Sequence, residues 1–225
     1  MMKKLIIWVF ICGLILFSFY FLINPERDDV TAEQDEPKPR ITQDIDSLIE
    51  QAILNYRQLN EQHDQITVHK KSIKMDDPEV KNWIIHTHIQ SAVLQNEELE
   101  GIELVDRAMT YKHNHDQLMK WAEKEHQIDV TDSEVDDYIQ KQLEHMDSGQ
   151  ETQPFYTKLS QALNLSETEY FYEWEYDRMA EYLVQDQLFV TYQELYPQED
   201  NESLEEYQDR IVILIEEDFQ QYQSE

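Results

Sequence analysis

The chain has 225 residues, with 48 acidic against 18 basic side chains and a formal charge of −30 at pH 7. A field of that sign and size repels nucleic acid and anionic lipid surfaces, which excludes a DNA- or RNA-binding role. The single cysteine, Cys12, excludes an intramolecular disulfide.

Leu5 to Ile23 forms an apolar run of nineteen residues in which only Ser18 is clearly polar. At about 1.5 Å per helical residue it spans a hydrocarbon core of about 30 Å. Lys3 and Lys4 precede it, while Glu26, Arg27, Asp28 and Asp29 follow. That asymmetry predicts a single-pass signal-anchor in the cell membrane, with a cytoplasmic N-terminus and an extracytoplasmic remainder. A cleaved signal peptide is the rival reading, but its apolar region is shorter and ends at a small-residue site. Residues 1–24 are thus read as tip and anchor. Residues 25–40, with Pro25, Pro37 and Pro39, are read as an extended linker.

Residues 41–225 then read as an all-α domain with one core, or as an elongated pair of lobes. Ile45, Leu48, Ile49, Ala52, Ile53, Tyr56 and Leu59 share one broad helical face. Ile66 to Met75 holds His69, Lys70, Lys71 and Lys74 and is open between a loop and a short strand. Asp76-Asp77-Pro78 suits the start of a helix carrying Val80, Trp83, Ile84, Ile85 and Ile89, and continuing through Leu94. Gly101 separates that helix from the next or kinks it. Leu104, Ala108, Tyr111, Leu118 and Ala122 make the following stripe, which ends near Ile128.

Thr131-Asp-Ser-Glu134 is a capping box that opens a helix through Val135, Tyr138, Ile139, Leu143 and Met146. Phe155, Leu159, Ala162 and Leu163 form another helix, which Asn164 stops. A second box, Ser166-Glu-Thr-Glu169, opens a long aromatic helix reaching about Tyr196. The final helix, 204–222, carries Leu204, Tyr207, Ile211, Leu214, Ile215, Phe219 and Tyr222. Its apolar centre, Ile211 to Ile215, would by itself favour a strand, but no partner strand is evident.

The order from Leu104 to Tyr196, with Ile128-Asp-Val130-Thr-Asp132-Ser-Glu134-Val135 as the connection and Phe155, Leu159 and Asn164-Leu165-Ser166 following, resembles the N-terminal chaperone domain of the SurA and PrsA extracytoplasmic folding factors. His126-Gln127 and Asn164 stand where the family has glycine. The resemblance implies a multi-helix SurA N-terminal-like domain that binds unfolded or partly folded secreted polypeptides. Relatives often carry an inserted parvulin-type isomerase. Only 29 residues follow Tyr196 here and they read as one helix, so no isomerase is expected. A surface protein binding one specific folded partner is the alternative.

In the aromatic helix, Tyr172, Tyr176, Met179 and Leu183 form the stripe expected to face the core. Tyr170, Phe171, Trp174, Tyr182 and Phe189 exceed one buried face and are the expected client-binding residues. No catalytic residue, cofactor or metal is expected. Glu123 and His126 have the Glu-x-x-His spacing of a carboxylate-bridged metal helix, but no second copy is found. His86 and His88, like His113 and His115, stand two apart and point to different sides of a helix. His115 lies on the apolar stripe and reads as a part-buried, hydrogen-bonded imidazole. The oligomeric state is open.

Overall fold

The structure is a computed structural model that describes residues 45–95, 97–147 and 154–224. The chain divides into two compact units. Among the described residues one comprises 45–116 with 130–181, and the other 117–129 with 182–224.

The larger unit begins with α1, Ile45–Gln62, which buries Leu48, Ile49, Ala52, Ile53, Tyr56 and Leu59 at helical spacing. A hairpin follows, with β1 at Gln65–Val68 and β2 at Lys71–Lys74. The strands are antiparallel, with Ile66 opposite Ile73 and Val68 opposite Lys71. Ile66 and Val68 are buried while Thr67 is exposed, the alternation of a half-buried strand. The turn places His69 at φ 48° and Lys70 at φ 64°. This is the left-handed pair that two-residue hairpin turns demand, usually met by Asn-Gly. The Tyr56 hydroxyl donates to the Met75 carbonyl at 2.6 Å, which fixes the end of β2 against α1.

Helix α2, Pro78–Gln90, starts as expected, with Pro78 in its first turn and the Asp77 carboxylate accepting from the Glu79 amide at 2.9 Å. It passes into a π-helical turn at Ser91–Gln95. Gly101, at φ 60°, opens α3, Gly101–His126, whose residues from 117 onward belong to the smaller unit. A Cβ on Gly101 would meet nothing within 4 Å, so the requirement for glycine is one of backbone conformation alone. Thr131 caps α4, Asp132–Asp147, by the expected reciprocal box: its amide donates to Glu134 at 2.8 Å, and the Glu134 amide approaches Thr131 Oγ1 at 3.4 Å. Helix α5, Pro154–Leu163, ends at Asn164, which takes φ 59°, and the Leu165 amide donates back to the Ser160 carbonyl. That is the Schellman stop, with asparagine where glycine is usual.

The second capping box is present too. Ser166 and Glu169 satisfy each other's amides, at 3.2 and 2.7 Å. The expected continuous helix after it is interrupted: a π-helical turn occupies Tyr170–Trp174, and α6 runs from Tyr176 to Leu195.

In the smaller unit, α3 stops at Gln127, at φ 57°, and Ile128 is buried beyond it. Helix α7, Leu204–Ser224, buries Tyr207, Ile211, Val212, Ile215 and Phe219, so the Ile211–Ile215 run is helical. Ser203 and Glu206 cap it reciprocally at 2.8 and 3.2 Å. The Tyr192 hydroxyl donates to Asp218 at 2.6 Å, and the Trp121 and Phe219 rings lie 5.2 Å apart.

The all-α expectation holds, with one short hairpin in the segment left open between loop and strand, and the expectation of an N-terminal transmembrane helix is corrected. The described chain is mostly helical but contains a β-hairpin, because His69 and Lys70 accept left-handed conformations without glycine. Among the described residues no helix is long and apolar enough to cross a membrane. The run from Leu5 to Ile23 and the linker at 25–40 lie outside the described residues.

Candidate functional site

The five aromatic residues singled out by sequence divide between the units. Tyr170, Phe171 and Trp174 are brought together in the π-turn of the larger unit; Tyr182 and Phe189 belong to the smaller one. They do not form an open surface. Tyr170 is 1 % exposed, Phe171 2 %, Trp174 6 % and Phe189 6 %, while Tyr182 is half-buried.

The π-turn explains why the buried face differs from the expected one. An extra residue in one turn advances the following side chains by about 100° around the axis. Tyr170, Phe171 and Trp174 therefore face inward. Tyr172 and Tyr176 sit at the rim, where Gln140 Nε2 donates to the Tyr172 hydroxyl at 3.0 Å and the Tyr176 hydroxyl donates to Asp132 at 2.9 Å. Met179 stays buried, as expected.

Beneath these rings lies a polar network that sequence reasoning did not find. Glu175, 3 % exposed, accepts from the Tyr170 hydroxyl at 2.6 Å. His86 Nε2 is 3.1 Å from the same carboxylate oxygen, off the line that a hydrogen bond needs. Arg178 Nη1 donates to Asn82 Oδ1 at 2.9 Å, and Asn82 Nδ2 donates to the Trp174 carbonyl at 2.6 Å. The Arg178 guanidinium also lies over the Trp83 ring, 4.8 Å from its centre. A π-turn frees main-chain groups from the regular ladder, and here Asn82 takes up one of them. Trp174 Nε1 and Arg178 Nη2 are buried without a hydrogen-bond partner among the described residues.

Burial and the Arg178 charge hold the His86 imidazole below its ordinary value. Burial works against the Glu175 charge, yet His86, Arg178 and the Tyr170 hydroxyl together hold its carboxyl below the usual carboxylate range. The Tyr170 phenol is pushed up by burial and by Glu175. The site thus sets an imidazole, a carboxylate and a guanidinium together, closed over by Tyr170, Phe171 and Trp174. Nothing in it is placed as a nucleophile beside a base with room for a substrate. The arrangement suits a latch between α2 and the π-turn.

His86 and His88 diverge as their spacing requires: His86 meets Glu175, and His88 Nδ1 lies 3.1 Å from the Leu99 carbonyl. His115 Nδ1 meets Glu181 at 2.6 Å. Burial disfavours its charge, but Glu181 outweighs that and raises its pKa. This is the part-buried, hydrogen-bonded imidazole the stripe suggested. Among the described residues no three His, Cys, Asp or Glu side chains gather to hold a metal ion, and Glu123 is exposed on the outside of α3.

No family model, curated protein or solved structure matches the chain.

Proposed function

We propose that this protein is a non-catalytic, chaperone-like module that holds unfolded or partly folded polypeptides. The observation that carries the reading is the succession of helices and stops between Leu104 and Tyr196. A helix ends at Gln127, Ile128 is buried, and the Thr131 box starts the next helix. The Asn164 stop and the Ser166 box then lead into the aromatic closing segment. That order is the one on which the resemblance to SurA and PrsA rests. The rings that would take a client are covered, so client binding requires the π-turn to open. A π-turn over buried charges is a natural place for local opening, because its ladder is already interrupted. The acidic surface favours clients with basic segments.

The test is aggregation of a chemically unfolded client diluted into the protein, followed by light scattering. The wild type should slow aggregation. Tyr170→Phe, which removes the hydroxyl bound to Glu175, should loosen the turn and slow it further, with more binding of a hydrophobic dye. No slowing by either protein counts against the proposal.

The burial of Tyr170, Phe171, Trp174 and Phe189 favours a second reading, an interaction protein with one folded partner. Such a protein needs no exposed aromatic surface. Crosslinked capture separates the two: one stoichiometric band for a specific partner, many for a chaperone.

A further inference from the structure

The smaller unit is built from the end of α3 with α6 and α7, and its three helices do not end at the same level. Helix α3 stops at His126, whose ring lies 5.4 Å from Tyr192, and Gln127 at φ 57° ends the helix. Helix α6 continues past Tyr192 to Leu195, and α7 begins at Leu204. The two lie side by side there, with the Tyr207 hydroxyl donating to the Gln193 carbonyl at 3.2 Å. The inward stripe of α6 is Val184, Leu188 and Tyr192, each at most 1 % exposed. Leu195 continues that stripe at helical spacing, yet it is 61 % exposed. In α7, Ile215, Ile211 and Tyr207 are buried, and Leu204 continues them at 58 % exposed. Both stripes face α3, through Tyr192 on His126 and Phe219 on Trp121.

A single exposed leucine is ordinary. Two core stripes that outrun their core together, where the third helix has stopped, leave a place shaped for another helix. The connection between α6 and α7 is fixed rather than loose. Arg210 holds Glu202 through two bonds, at 2.7 and 2.8 Å, and donates to the Pro197 carbonyl at 3.2 Å. Glu202 also accepts from the Glu199 amide at 3.1 Å. Arg210 is the only lysine or arginine after Arg178, and Glu202 occupies it. Glu194, Glu199, Asp200 and Glu205 around the two leucines are exposed and make no ion pair among the described residues. The surface is therefore a rigid apolar step with an acidic rim.

We propose that this end of α6 and α7 docks an amphipathic, basic helix of a partner polypeptide, which takes up the line of α3 beyond His126. Its apolar face covers Leu195 and Leu204, and lysine or arginine on its flanks meets the acidic rim. A second copy of the chain is a poor occupant, because it would bring two sets of the same carboxylates together. The surface shares no residue with the aromatic π-turn, so the inference does not rest on the chaperone reading.

The test is fluorescence anisotropy of a labelled synthetic helix of leucine and lysine, with its leucines on one face, titrated with the full chain at physiological ionic strength. Two control peptides accompany it: the same composition scrambled so that the leucines share no face, and a leucine-glutamate helix of the same pattern. Saturable binding of the leucine-lysine helix alone is expected. Leu195→Ser combined with Leu204→Ser should weaken it by about tenfold or more, through loss of the apolar contact. Val190→Ser combined with Ile213→Ser changes two exposed apolar residues elsewhere on the same helices and should leave the affinity unchanged. The proposal is overturned if the wild type does not saturate, or if either control peptide binds as well. It is equally overturned if the Leu195 and Leu204 double variant, shown to be folded by helical circular dichroism, keeps the wild-type affinity. Sedimentation and crosslinking test the other occupants. A wild-type dimer that the same double variant loses would assign the surface to a second copy. An intramolecular disulfide from Cys12 to the thiol of Leu204→Cys would assign it to the chain's own N-terminal run. Either result overturns the proposal.

Discussion

Glu175 is the residue whose removal the structure makes most expensive. Its carboxylate is 3 % exposed and accepts from the Tyr170 hydroxyl at 2.6 Å, with His86 Nε2 3.1 Å away and Arg178 supplying the nearby positive charge. In Glu175→Ala the hydroxyl loses its acceptor and the guanidinium loses its counter-charge, both in the interior. Breaking a buried charge pair by removing one partner costs about 3–5 kcal/mol. A single hydrogen bond to a charged group contributes about 1.5–3 kcal/mol. We therefore expect Glu175→Ala to lower the unfolding free energy by about 4 kcal/mol and Tyr170→Phe by about 2 kcal/mol. The double variant should fall short of the sum by about 1–2 kcal/mol, because both substitutions remove the same bond. Urea unfolding followed by helical circular dichroism gives all three values. A cost below about 1 kcal/mol for Glu175→Ala, or strict additivity of the pair, would refute the network as a latch.

Other consequences follow from the same geometry. The imidazoles of His86, His88 and His126 are held below their ordinary value mainly by burial, while His115 is raised by Glu181. A depressed histidine contributes stability that is full above its unfolded pKa, near 6.5, and is lost as pH falls below it. His115 acts in the opposite sense, and Glu175 withdraws stability in turn as pH falls through the carboxylate range. The urea midpoint should therefore drop between pH 7 and pH 5, and a midpoint that rises there would contradict the assignments. Gln127 sits at φ 57° with an exposed side chain, so Gln127→Gly should stabilise by about 1 kcal/mol in thermal unfolding. Ser203→Ala removes the acceptor for the Glu206 amide and should cost about 1 kcal/mol by the same measurement.

Much of the helical framework was legible because its boundaries are written in local chemistry. Asp77-Pro78, Thr131 with Glu134, Asn164, and Ser166 with Glu169 each satisfy free backbone groups within a few residues, so the sequence announces them. The hairpin was not legible, since His69 and Lys70 take the positions where Asn-Gly would have signalled a turn. The π-turn at Tyr170–Trp174 has no residue signature, and its extra residue exchanges the inner and outer rings. Glu175 was one carboxylate among 48. Its partner His86 stands 89 positions away, and Glu181 lies 66 positions from His115. Pairings of that kind arise from tertiary packing, which no local pattern encodes.

The central claim is that the protein recognises the unfolded state of a polypeptide. The most direct measurement is calorimetric titration with one basic polypeptide prepared in two forms, folded and permanently unfolded. The account predicts saturable binding of the unfolded form and none of the folded form. Binding of the folded form alone, or of neither, would contradict it.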